Sequence, residues 1–207
     1  MNDEQAGNDL DYLRAVAEAG QRSPLLGGDF ALWWGSLSAI VLFCHWLIII
    51  QAIPIGFGNL WILWVGYVVL GSAGSAWIGR RYESKPAAGS HVNRAASAVW
   101  SSGGISLLTL YFGLMTAVLT GLLAPQQFNV MLPAALLVYS VGWLTSARLC
   151  DDRLLYLPAF VSLAGVFIAG ALMMSHWVYP ATALVLLAST VLPGLWLQQR
   201  ERAARNP

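Results

Sequence analysis

Charge is what this chain has least of. Of its 207 residues only 10% are Asp, Glu, Lys or Arg, while 57% are hydrophobic. A water-soluble domain carries about a quarter charged residues, so the polar side chains needed to cover an ordinary water-facing surface are missing. Cysteine is scarce too. Cys44 and Cys150 form no C-x-x-C pair, which excludes a disulfide framework and a zinc knuckle. The net charge is only +1, so there is no bulk field to attract nucleic acid. The chain contains no H-E-x-x-H, no histidine box and no G-x-S-x-G, and no serine has an obvious base; enzymatic activity is not expected. The first 29 residues are polar and acidic, without a basic stretch followed by a short apolar one. A cleaved signal peptide is therefore not expected.

What is present is apolar length. A bilayer core takes about 20 apolar residues per helix. Six segments satisfy this: 30–53, 60–78, 98–123, 130–147, 154–175 and 180–197. Membrane strands need alternating polarity over about 10 residues, and no segment alternates in that way. The expectation is an all-α bundle of six transmembrane helices over 30–197. An acidic arm (1–29) precedes it and a basic tail (198–207) follows. The 10 Trp and 20 Gly suit such a protein, where aromatic belts and small-residue packing are both enriched.

The charges that remain are sorted. Arg14 and Arg22 precede the first segment. Arg80, Arg81, Lys85 and Arg94 lie between the second and third. Arg148 and Arg153 lie between the fourth and fifth, and Arg200, Arg202 and Arg205 follow the sixth. The other three connections hold no charge. The positive-inside rule then puts both termini in the cytoplasm of a plasma (inner) membrane.

Short uncharged turns group the segments as three hairpins. The first two turns share an order of Pro (Pro54, Pro125), Phe (Phe57, Phe128) and Asn (Asn59, Asn129). This order fits an internal duplication, or simply the residues that turns prefer. Each Asn is placed to cap the returning helix, as is Asp29 before the first. Gly71, Ser75 and Gly79 recur every fourth residue, as do Gly113, Ala117 and Gly121. Each set makes a smooth stripe where another helix can approach, in a neighbouring chain or within the bundle.

Ionisable groups inside a membrane are functional candidates by default. His45 is the one such group in the six segments. Without a membrane carboxylate, proton-coupled transport is not expected. A metal or haem needs converging ligands. His91 falls at the charged end, so only His176 is available to pair with His45, at a different depth. Cys44 and His45 point about 100° apart on a helix, which weakens a shared site. The alternative is a neutral His45 hydrogen-bonded between helices. No cofactor or metal is expected.

In residues 8–20 an amphipathic helix is expected, with Leu10, Leu13, Val16 and Ala17 on its apolar face. It is acidic where lipid-binding helices are basic, so it should dock on protein: on the basic loop 80–94 or on a partner. Two functions follow. One is a non-enzymatic membrane component acting by association, as a sensor, an assembly factor or a subunit of a complex, alone or as a homo-oligomer. The other is a small channel or facilitator for a neutral or weakly polar solute, using Ser102, Ser106, Thr109, Thr116 and Thr120 of the third segment. No nucleic-acid partner is expected.

Overall fold

The computed structural model describes residues 25–205. These residues form helices without a strand: α1 (Gly28–Ile49), α2 (Leu60–Glu83), α3 (His91–Leu119), α4 (Met131–Cys150), α5 (Tyr156–Ala171), α6 (Val178–Leu186) and α7 (Leu192–Arg205). A π-helical turn, Leu187–Val191, makes α6 and α7 one continuous span. Pro193 follows that turn. It has no N–H, and its ring would clash with the carbonyl four residues back, so the wider turn absorbs the misfit. Among the described residues, six helices are long and apolar enough to cross a membrane. The expected arm, including Leu10, Leu13, Val16 and Ala17, lies outside the described residues.

Helix ends differ from the limits read off hydropathy, and the backbone explains why. α1 stops at Ile49 because Gln51 takes a left-handed conformation, φ 58°. The N–H groups of Gln51 and Ala52 then bond back to the carbonyls of Ile48 and Leu47, closing a Schellman motif. α3 ends in the same way at Gly121, φ 75°, with Gly121 and Leu122 bonding to Val118 and Ala117. Gly121 therefore belongs to the turn after α3 and does not extend the face of Gly113 and Ala117. At its other end α3 begins seven residues early, because Ser90 caps it by accepting from the Asn93 N–H.

α1, α4, α5 and the α6–α7 span form the centre. α2 packs on α1 and α3 packs on α4, so the two flanking helices are held by the centre rather than by each other. One core cluster, with Leu42, Leu132, Leu136, Val178, Ala183 and Leu186, fills the half nearer the uncharged turns. A second, around Trp143, Ala147, Leu155, Ala159 and Leu197, fills the charged half.

The flanking helices are attached by rings seated on glycines. A Cβ added at Gly71 would lie 2.3 Å from the ring of Trp34, and one at Gly74 would lie 2.1 Å from the ring of Trp33. Trp34 also donates its indole N–H to Ser75 Oγ at 2.9 Å. On the other side Trp100 of α3 lies against Gly142 of α4, 2.8 Å from where a Cβ would be. Gly71 and Ser75 are thus filled by α1 of the same chain. At Gly79 and Gly113 a Cβ would meet nothing within 4 Å.

A Gly71→Ala substitution must displace a ring that Ser75 and Tyr67 hold in place. It is expected to cost about 1–3 kcal/mol, read as a lowered unfolding temperature in detergent, while Gly113→Ala leaves that temperature unchanged. Equal melting of the two variants would contradict the packing described.

Candidate functional site

Polar chemistry concentrates in three places. The first is the charged end. Asp29 stands in the first turn of α1, Lys85 just past α2, and Gln198 and Glu201 near the end of α7. Lys85 Nζ donates to Asp29 at 3.1 Å and to Glu201 at 2.9 Å. Gln198 Nε2 donates to the other oxygen of Asp29. Asp29 is therefore not the cap of α1; Gly27 holds that position, without a side-chain bond. Three elements far apart in sequence meet on one ammonium group. A second tie joins Arg200 of α7 to Asp152. Asp152 also accepts from the Leu154 N–H at 3.0 Å, holding the turn that leads into α5. The approach to α1 is pinned as well: the Leu26 N–H donates to Oδ1 of the fully buried Asn93 at 2.7 Å.

The second place is His45, one turn below the uncharged end of α1. Trp64 Nε1 donates to His45 Nδ1 at 3.0 Å, and the His45 ring stacks on Tyr179 with centroids 4.2 Å apart. The Tyr179 hydroxyl donates to Asn129 Oδ1 at 2.8 Å, and Asn129 Nδ2 donates to the Met173 carbonyl at 2.9 Å. Asn129 thus joins the α3–α4 turn to the α5–α6 turn instead of capping α4, and Asn59 makes no side-chain cap either. An indole N–H can only donate. Nδ1 is therefore the bare nitrogen, and the neutral ring carries its proton on Nε2. A metal-bound histidine has the opposite arrangement, with the ligating nitrogen bare and the other N–H donated to an acceptor. Coordination through Nε2 would place a proton on Nδ1 facing the proton of Trp64. His176 packs its ring against Trp177, tilted by 37° at 5.3 Å, and not against His45. Among the described residues, no three His, Cys, Asp or Glu side chains converge for a metal. Cys44 is a free, half-buried thiol.

The third place is the outer face of α3. Ser102, Ser106, Thr109, Gly113 and Thr116 follow one another at intervals of four, three, four and three residues. Thr120 continues the series just past the last turn. Such spacing keeps all of them on one side of a helix. The structure leaves them all exposed, with Ala117 beside them half-buried. Thr109 Oγ1 donates to the Ile105 carbonyl at 2.9 Å and Thr120 Oγ1 to the Thr116 carbonyl at 2.8 Å, so these hydroxyls are satisfied within their own helix. The face that meets α4 is a different one, carrying Trp100 and Gly103. The hydroxyls therefore look out of the bundle and line no path through it.

Hydropathy reading misses the small polar residues that do sit inside. Ser140, Ser146 and Ser162 are at most 1% exposed, where α4 and α5 pack together. Their signal is compositional only: small side chains at spacings of three and four along α5 (Ala159, Ser162, Gly165, Ala169). Searches against protein-family models, curated proteins and solved structures find no match to this chain.

Lys85→Met removes the ammonium that joins Asp29 to Glu201, and is expected to lower stability by about 1–3 kcal/mol. Asp29→Asn keeps the Glu201 pair and is expected to cost less than half as much. Thermal unfolding of the purified variants reads both, and a Lys85→Met protein as stable as wild type would contradict the clasp.

Proposed function

We propose that this is a non-enzymatic protein of the plasma (inner) membrane, with both termini in the cytoplasm, that works by association as a sensor, an assembly factor or a subunit of a membrane complex. The observation that carries the reading is the outward face of α3. Its neighbours on the same helix, Ile105, Leu108, Phe112 and Leu119, are large, apolar and more than half exposed, as lipid contact requires. The line from Ser102 to Thr116 has no large side chain. In lipid there is no hydrophobic drive between helices, and association relies on close van der Waals approach over small residues, aided by hydroxyl hydrogen bonds. A helix of another protein laid along this line would gain the packing that lipid chains cannot supply. The gathering of charges at one end of the bundle, with none in the opposite turns, supports the orientation.

The facilitator reading is favoured by the same hydroxyls in one arrangement only. Copies of the chain would have to bring their α3 faces to a common axis, so that the Ser and Thr side chains line a path for a neutral solute.

The test is affinity purification from native membranes. Gly113→Leu with Ala117→Leu is expected to reduce the co-purifying protein at least about tenfold, the effect of losing roughly 1.4 kcal/mol of contact, with the unfolding temperature of the chain itself unchanged. Deletion of residues 1–20 is expected to weaken the same complex. Undiminished recovery of the partner with the double variant would overturn the reading. Solute flux in liposomes containing the purified chain alone, abolished by that variant, would select the facilitator.

A further inference from the structure

The charged end holds a cleft of about 580 Å³. α2 and α7 both pack on α1, and residues from the charged ends of all three line the cleft. Lys85 lies low in this cleft, 14% exposed, with Asp29 and Glu201 beside it. Lys85 carries three N–H groups, and the two carboxylates occupy two. The other cations on the cleft are Arg81 of α2 and Arg202 of α7. Neither has a carboxylate partner among the described residues.

The depth of Arg81 is informative. A helical side chain leans toward the N-terminus of its helix, and for α2 that direction is into the membrane. The Arg81 guanidinium accordingly lies over the ring of Trp77, 3.8 Å from its centroid. Trp77 is 56% exposed, as befits an aromatic ring at the membrane–water interface, the level of lipid head groups. Stacking uses a face of the guanidinium, whereas its N–H donors lie in the plane, at the edge. Guanidinium groups suit phosphate because they present several donors in one plane. Basic pockets between transmembrane helices are a recurring mode of head-group binding.

We infer that this cleft binds the phosphodiester of an anionic phospholipid, with Arg81 and Arg202 gripping it from α2 and α7 and the third Lys85 proton facing it from below. The inference is independent of what α3 meets.

Native mass spectrometry of the full-length protein from mixed micelles of phosphatidylglycerol and phosphatidylcholine provides the test. Wild type is expected to retain phosphatidylglycerol at least about tenfold over phosphatidylcholine, the scale set by two arginines at a membrane surface. Arg81→Gln with Arg202→Gln should abolish the preference. Arg94→Gln with Arg153→Gln removes the same charge outside the cleft and should leave it intact. Equal loss in both pairs would reduce the effect to a general field and overturn the site. So would a wild-type protein without the preference, a result that does not depend on any variant folding. Displacement of the lipid by millimolar glycerol 1-phosphate would assign the cleft to a soluble phosphate and overturn the lipid assignment.

Discussion

The fit of tryptophan rings into glycine gaps holds the outer helices of this bundle. Inside a bilayer the surrounding chains are as apolar as the helices, so burial of apolar surface does not drive helices together. Shape has to do it. Trp33 and Trp34 of α1 lie where a Cβ at Gly74 or Gly71 of α2 would stand, and Trp100 of α3 does the same at Gly142 of α4. Polar contacts add to the rings: Trp64 and Tyr67 of α2 bond to His45 and Ser38 of α1, and Asn93 of α3 accepts from the Leu26 N–H. Because the rings already fill the gaps, the glycines of α2 that they cover are not free for another protein, whereas Gly113 of α3 is open.

Polar groups are handled differently at the two ends. At the charged end, pairs reach across the sequence: Lys85 gathers α1 and α7, and Arg200 holds the α4–α5 turn. These contacts set the relative height of the helices where packing alone allows sliding. Near the uncharged end His45 is the one basic side chain in the spans. Trp64 and Tyr179 hold it as a neutral ring, and the Tyr179–Asn129–Met173 chain locks two turns together. The bundle thus avoids placing a formal charge within the apolar layer, where its solvation cost is high.

Much of this was legible in the sequence. The number of spans, the all-helical class and the pairing into hairpins follow from apolar length and turn residues. The ends of the helices did not, because a left-handed Gln51 has no local signature, unlike Gly121, and because the start of α3 is polar and reads as a loop. Gly121 looked like a member of a packing stripe when it is a turn residue. The tryptophans looked like an interfacial belt, and that is true of Trp77, but Trp33, Trp34 and Trp100 point inward. Periodicity tells which residues share a face and not which face meets the interior. That is also why the hydroxyls of α3 were readable as a group while their outward direction was not.

The proposed function requires the outer face of α3 to be a protein contact. A photo-reactive amino acid placed in turn at 105, 106, 108, 109, 112, 113 and 116 in native membranes tests this directly. Protein adducts are predicted at 106, 109, 113 and 116, and lipid adducts alone at 105, 108 and 112. Lipid adducts at every position would contradict it.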